Sequence, residues 1–214
     1  MRAGEGHDGM CNGTLAVVDS GGGNLGSLLA ALERRGVTPI LTQDPAVVDA
    51  ADAAILPGDG AFAATMRALE ERGLDRAIHR LVVRGRPFLG ICVGMQLLFE
   101  ASEEHEHYAG LGILPGTIRR FEGAPRVPHM GWNDLELVVP HPFVANVASG
   151  DYVYFLHSYR ADVGPHTLAA ATHGERFAAI VAQGNVMGTQ FHPEKSQVTG
   201  ARLLDNFLAL RSAE

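Results

Sequence analysis

Apolar residues along this chain follow two rhythms, a short continuous run and a helical stripe, and the first half alternates between them. Residues 14–19 (TLAVVD) are an apolar run ending in Ser-Gly-Gly-Gly, and Leu25, Leu28, Leu29 and Leu32 follow at the i, i+3, i+4, i+7 spacing of an amphipathic helix. A strand, a turn and a helix are predicted. The unit recurs as strand 39–42, short helix 46–51, strand 53–56, helices 61–72 and 75–84, and strand 87–91 running into a helix from Gly94. Alternating units of this length predict a parallel sheet with helices on both faces. From 118 onward the rhythm changes. Strands are predicted at 118–121, 134–138, 152–158, 168–172, 178–183 and 186–191, joined by short Gly/Pro/Asn turns, some of them antiparallel. A closing helix at 200–210 carries the stripe Leu203, Leu204, Phe207 and Leu208. The expected fold class is α/β: an open, mostly parallel sheet with added antiparallel strands in the C-terminal half. No repeat or Pro/Ser-rich linker interrupts it, so residues 14–214 are read as a single domain and the polar, Gly-rich residues 1–13 as a disordered tail.

Composition narrows the class of function. With 46% hydrophobic and 19% charged residues the chain of 214 can bury a full core, and it has no apolar stretch of about 18 to 20 residues to cross a bilayer. The expected compartment is the cytoplasm. A balance of 17 Lys+Arg against 24 Asp+Glu, a net charge of −7, offers no cationic run for nucleic acid. Two cysteines, Cys11 and Cys92, do not make a disulfide scaffold. Of the basic residues a single one is lysine, Lys195.

Cys92 lies in Gly90-Ile91-Cys92-Val93-Gly94, a G-x-C-x-G between a predicted strand and a helix. This is the thiol version of a nucleophile elbow, whose glycines permit a sharp turn that aims the nucleophile outward. A helix N-terminus beneath the sulfur favours thiolate, and the Val93 N–H would face an oxyanion on an attacked carbonyl. The plain alternative is a buried structural cysteine. Cleaving an amide also requires a proton donor for the leaving nitrogen. Among ten histidines, His192 stands out in His192-Pro193-Glu194, where two residues apart on one strand face would bring the carboxylate to the imidazole. Alone, such a tripeptide also fits a surface turn.

Other features are weaker. Glu103-Glu104-His105-Glu106-His107 has metal-ligand composition, but fits a solvated loop better, and no metal is expected. His157, in a Tyr- and Phe-rich strand, is read as a satisfied core or rim histidine rather than a second base. The turn Pro57-Gly58-Asp59-Gly60 can offer backbone N–H groups to a ligand, or can be an ordinary strand-to-helix turn. Gly21-Gly22-Gly23-Asn24-Leu25-Gly26 matches a dinucleotide fingerprint with Asp44 as the ribose acid, a reading that leaves the elbow and H-P-E without a role.

Taken together, Gly90-Ile91-Cys92-Val93-Gly94-Met95-Gln96 and Gln190-Phe191-His192-Pro193-Glu194 resemble the class I (triad) glutamine amidotransferase family, over about residues 14–210. Within it, Asp19-Ser20-Gly21-Gly22-Gly23-Asn24-Leu25, Pro57-Gly58-Asp59-Gly60-Ala61-Phe62, Pro128-His129-Met130-Gly131-Trp132-Asn133, Tyr154-Phe155-Leu156-His157-Ser158-Tyr159 and the ending 188–197 are most similar to the glutaminase subunits of imidazole glycerol phosphate synthases. The resemblance implies a flavodoxin-like fold, L-glutamine as substrate, no cofactor, and Cys92, His192 and Glu194 as the catalytic triad. It implies that Val93 and the Gly58-Asp59 turn hold the oxyanion, and that Gln96, Ser158 and Tyr159 hold the glutamine α-groups. It further implies a heterodimer with a (β/α)8 barrel cyclase subunit that receives ammonia in histidine biosynthesis, with Asn24 and Lys195 facing the barrel. The readings beside it are the glutaminase of another amidotransferase, a γ-glutamyl hydrolase, and a non-catalytic module with an elbow cysteine. Two residues depart from the family pattern: Ser20, where an aromatic is usual, and Asp59, where an apolar residue is commoner. A carboxylate close to a developing oxyanion would slow the reaction, so the Asp59 side chain is expected to turn away, toward solvent or a cation.

Overall fold

The computed structural model describes residues 13–22 and 25–211. Asn24 and nearly all of the expected tail lie outside the described residues. The first half folds as its rhythm predicts. Strands β1 (Leu15–Val18), β2 (Ile40–Thr42), β3 (Ala53–Gly58) and β4 (Phe88–Cys92) alternate with helices α1 (Leu25–Glu33), α2 (Pro45–Ala50), α3 (Phe62–Arg72) and α4 (Leu74–Val83). β1 and β4 are buried at every position, as strands covered on both faces must be. Asp44 caps α2, its carboxylate accepting the Ala46 N–H at 2.8 Å ahead of Pro45 in the first turn. That local task accounts for the acid that the dinucleotide reading needed.

After Cys92 the chain departs from expectation. The helix α5 is a single turn, Val93–Gln96, and the chain at once forms β5 (Phe99–Ser102), β6 (Tyr108–Ala109) and β7 (Leu114–Arg120). One turn has only a small dipole, so the help that a helix gives the sulfur is smaller than the sequence suggested. Next come β8 (His129–Asp134), β9 (Glu136–Leu137), β10 (Tyr152–His157), β11 (Tyr159–Arg160), β12 (Thr167–His173), β13 (Glu175–Gln183) and β14 (Val186–Thr189), then α6 (Gln197–Leu210).

The main sheet has the order β2-β1-β3-β4-β14-β13-β12-β9, parallel from β2 through β14 and antiparallel beyond. Because β1 steps outward to β2 and the chain then returns to β3, right-handed crossovers place α1 and α2 on opposite faces. An ion pair ties helices within each layer: Arg35 of the α1 end to Asp205 of α6 at 2.6 Å on one face, and Arg80 of α4 to Asp49 of α2 at 2.6 Å on the other. Phe62, Phe88, Phe143, Phe155, Phe177, Phe191 and Phe207 are fully buried around the sheet. Two smaller sheets, β10-β8 and β11-β7-β5-β6, stand beside its carboxyl edge. Among the described residues no helix is long and apolar enough to cross a membrane.

Candidate functional site

Three neighbouring parallel strands, β3, β4 and β14, end at the same edge of the sheet, with Gly58 in register opposite Cys92 and Thr189 opposite Ile91. Adjacency in the sheet therefore brings together three segments that are distant in sequence: the Gly58-Asp59 turn, Cys92, and the stretch leading to His192.

Cys92 has φ 55° and ψ −113°, a backbone conformation that side chains other than hydrogen rarely tolerate. The strain rests on the cysteine itself. The flanking glycines serve a different need from the turn that the sequence suggested: a Cβ on Gly94 would lie 1.9 Å from the Leu56 carbonyl oxygen, and one on Gly90 would lie 2.4 Å from the Gly94 oxygen. Gly58 is pressed against the same turn, 2.7 Å from the Gly94 nitrogen by the same measure. Strand β3 thus packs directly beneath the elbow, and the Gly58-Asp59 backbone flanks the sulfur. Gln190 Nε2 is 3.9 Å from the Cys92 Sγ, and the Leu156 carbonyl oxygen is 3.8 Å from it.

His192 and Glu194 do not share a strand face. Strand β14 stops at Thr189, and Pro193–Lys195 form a short 3-10 turn. The contact forms all the same, because the turn brings Glu194 Oε1 to 2.9 Å from His192 Nδ1. The His192 backbone is pinned from two sides: its N–H donates to the Tyr154 carbonyl at 3.2 Å, and its carbonyl accepts the Ser196 hydroxyl at 2.7 Å. Ser196, which sequence reasoning passed over, also accepts the Tyr154 N–H at 2.9 Å. Burial alone would lower the imidazole's pKa; the adjoining Cys92 sulfur and the Glu194 carboxylate outweigh it and push the value up to about 10. His192 is therefore an imidazolium at neutral pH. Its Nε2 has no hydrogen-bond partner among the described residues, and Asp59 Oδ1 stands 3.9 Å away. The Asp59 side chain keeps 40% of its surface exposed. It therefore faces both solvent and the imidazolium.

In front of the sulfur lies a cavity of about 320 Å³, between the Cys92–Gln96 turn and residues 156–159, with Asp59 and Glu104 among its walls. Val93, Gln96, Ser158 and Tyr159 all line it. Gln96 Nε2 donates to the Tyr159 carbonyl at 2.9 Å and to Gln190 Oε1 at 3.0 Å. Glu104 belongs to the charged run 103–107, whose composition fits a solvated loop. Its neighbours Glu103 and Glu106 do pair with surface arginines, Arg119 and Arg67, but Glu104 turns inward and accepts the Phe62 N–H at 2.6 Å. Alternation of charge alone gave no signal for that difference. Lys195 is half-buried beside Glu194 and forms no ion pair with the described residues.

His157 is a core histidine, as expected, and it is one of a cluster. It packs with His129, Phe121, Phe155 and Phe177, and His129 stacks on His173 at 4.1 Å between ring centroids. Burial and then the neighbouring His173 charge lower the His129 pKa to about 4; burial, outweighing the help of the Tyr159 carbonyl, lowers that of His157 to about 3. The unfolded chain takes up these protons near pH 6.5 while the folded one refuses them, so the stability gained by keeping both rings neutral is full above about 6.5 and shrinks as pH falls toward 4 and 3. The urea midpoint is expected to drop between pH 7 and pH 5, and to drop less in the double variant His129→Phe/His157→Phe. Equal slopes would refute the assignment.

The sequence as a whole agrees with this site. The family model for class-I glutamine amidotransferases matches residues 16–210. The imidazole glycerol phosphate synthase subunit HisH of Salinibacter ruber is 45% identical over 207 residues, covering 92% of this chain and 95% of that protein. The same subunit of Syntrophotalea carbinolica is 46% identical over 202 residues, covering 90% and 98%. The subunit of Synechococcus elongatus is 48% identical over 200 residues, covering 91% and 92%. Among solved structures, a glutamine amidotransferase superposes with a TM-score of 0.73 at 23% identity, covering 94% of this chain and all of that one. PurLQS of Thermotoga maritima does so with a TM-score of 0.71 at 21% identity, covering 92% and 98%; both show the fold. With a matched model over nearly its whole length and relatives this similar, the chain belongs to the class-I glutamine amidotransferase family.

Proposed function

We propose that this chain is the glutaminase subunit of an imidazole glycerol phosphate synthase, hydrolysing glutamine to glutamate and ammonia and passing the ammonia to a (β/α)8 barrel cyclase subunit. The observation that carries the reading is the strained Cys92 facing a cavity, beside an imidazolium that a buried carboxylate holds at 2.9 Å.

In this reading the Cys92 sulfur, as thiolate, bonds to the side-chain carbonyl carbon of glutamine, and the oxyanion is met by the N–H groups of Val93 and of the Gly58-Asp59 turn. His192 gives its Nε2 proton to the leaving nitrogen, the C–N bond breaks, and ammonia departs from a thioester. The sulfur then no longer bears the charge that helped to hold the proton on His192, and burial favours the neutral ring. The same imidazole can now take a proton from the water that attacks the thioester; the C–S bond breaks, and glutamate leaves with thiolate and imidazolium restored. No cofactor enters. Gln96, Ser158, Tyr159 and Glu104 surround the space left for the substrate's α-groups.

Ammonia set free in water would be protonated and lost, so a partner must cover the exit. Strands β8 and β10 pair Met130 with Leu156 and Trp132 with Tyr154, and the exposed Met130, Trp132 and Leu156 make one apolar face on the pair whose Tyr154 carbonyl holds His192. Lys195, and Asn24 beyond the described residues, are assigned to the same contact with the barrel. Cys92 is a free thiol, which suits the reducing cytoplasm. The test is glutamate release from glutamine, with and without the barrel cyclase and its nucleotide ligand. Release that rises with the partner is expected. Release from γ-glutamyl peptides in preference to glutamine, with the partner irrelevant, would replace this reading by the hydrolase.

A further inference from the structure

A line of hydrogen bonds outside the triad starts on β8 and reaches the nucleophile. Asn133 Nδ2 donates to the Thr172 carbonyl at 2.9 Å and lies 3.4 Å from His129 Nε2. His129 Nδ1 and His157 Nε2 are 3.0 Å apart, and His157 Nδ1 is 2.8 Å from the Tyr159 carbonyl oxygen. That oxygen also receives Gln96 Nε2, whose other hydrogen goes to Gln190 Oε1, and Gln190 Nε2 points at Cys92 Sγ.

Every proton on this line is dictated by its neighbour. A carbonyl oxygen only accepts, so His157 Nδ1 carries a hydrogen; both rings are neutral, so His157 Nε2 is bare and must accept from His129 Nδ1–H. His129 Nε2 is then bare in turn and takes its hydrogen bond from Asn133. A second proton on His157 would set N–H against N–H at 3.0 Å, and one on His129 would face the Asn133 amide N–H at 3.4 Å, so the pair holds one tautomer. At the far end the Tyr159 oxygen, held by the His157 N–H, can be met by the Gln96 nitrogen and not by its oxygen. The amide of Gln96 therefore has one orientation. Its Oε1 accepts no hydrogen bond from the described residues, is not sealed from solvent, and belongs to a residue that lines the cavity.

We propose that His157, with its tautomer set by His129, is a positioning residue for glutamine recognition: it fixes the Tyr159 carbonyl, the carbonyl orients the Gln96 amide, and the Gln96 oxygen is presented to the substrate's α-ammonium group. This rests on glutamine as the cavity's occupant. The role is one of binding, remote from the breaking bond, so it acts on KM and leaves kcat alone.

His157→Phe keeps an aromatic ring in an aromatic cluster and removes the donor; His157→Asn returns a donor near the place of Nδ1; His129→Phe/His157→Phe removes the hydrogen that the first variant would strand. With the barrel partner present, His157→Phe and the double variant are expected to raise the KM for glutamine about tenfold with kcat within about threefold, since one hydrogen bond is worth about that factor. His157→Asn is expected to regain most of the loss. A KM unchanged in the Phe variants, or lost equally in the Asn variant, overturns the proposal. Side-chain amide NMR of Gln96 reads the same contact without substrate: its Nε2 resonance is expected to move in His157→Phe and to stay in His157→Asn, and a resonance unmoved in both refutes the orientation. An unaltered protein that releases no glutamate with its partner, while the Gln96 resonance moves as expected, would mean that the cavity serves another amide and that the relay stands.

Discussion

Cys92→Ala is expected to end glutamate release, by about four orders of magnitude or more, because it removes the sulfur that forms the covalent intermediate. Cys92→Gly is expected to be equally inert and yet to stand above Cys92→Ala in stability by about 1 kcal/mol. In most strand and helix positions the order is the reverse, since glycine loses more backbone freedom on folding, by about 0.5 to 1 kcal/mol. Here the backbone has φ 55° and ψ −113°, and a Cβ in that region costs about 1 to 3 kcal/mol. Alanine keeps the cost and loses the sulfur; glycine loses both. For a chain of this size the difference amounts to about 2 to 4 °C in Tm. Thermal melts of the two variants, with glutamate assays on each, read both halves. Alanine at or above glycine would mean that the elbow stores no strain, and residual turnover in either would mean that the nucleophile lies elsewhere.

Close backbone packing around the elbow, rather than that strain, is what made the Cys92 turn legible in the sequence. Cys92 announced itself because two glycines bracket it, and the structure gives the physical cause: β3 passes so close beneath the turn that Gly94 cannot carry a side chain, and the elbow folds back so tightly that Gly90 cannot either. His192 and Glu194 were found as a pair, although the reasoning placed them on a strand face and the chain places them in a turn after Thr189. The contact between the two side chains forms as expected and the local geometry does not, since an H-P-E tripeptide carries no record of where the preceding strand stops. Strand β8 was missed because His129-Met130-Gly131-Trp132-Asn133-Asp134 offers only two apolar residues, Met130 and Trp132, both of them exposed, and Gly131 sits at φ 135° between them. Its pairing with β10 is what makes it a strand. The inward turn of Glu104 and the histidine relay were beyond reach for a related reason: each is defined by a partner from a distant segment, Phe62 in one case and Tyr159 with Gln96 in the other. Periodicity reports which face a residue occupies, and not which groups meet it there.

Gly94→Ala is expected to disrupt the fold around the site severely. Gly94 does not have a positive φ, so the usual argument for glycine does not apply; the added carbon would meet the Leu56 carbonyl oxygen at 1.9 Å and the Leu56 carbonyl carbon at 3.0 Å. Both belong to the backbone of a central strand buried on each side, which cannot swing away as a side chain could. Either β3 and β4 part, breaking a ladder that runs from Ala54–Phe88 to Gly58–Cys92, or the elbow lifts and carries Cys92 away from the Gly58-Asp59 backbone. Both routes cost more than about 3 kcal/mol, out of the roughly 5 to 15 that hold a domain of ordinary stability. A fall in the urea midpoint together with loss of glutamate release is expected. Gly164→Ala is the matched control: nothing lies within 4 Å of its added carbon and its φ is not positive, so it should leave stability unchanged or raise it slightly through the unfolded chain. If the two variants melt alike, close packing of β3 beneath the elbow is not what the glycine is for, and the placement of the Gly58-Asp59 backbone beside the sulfur would need another cause.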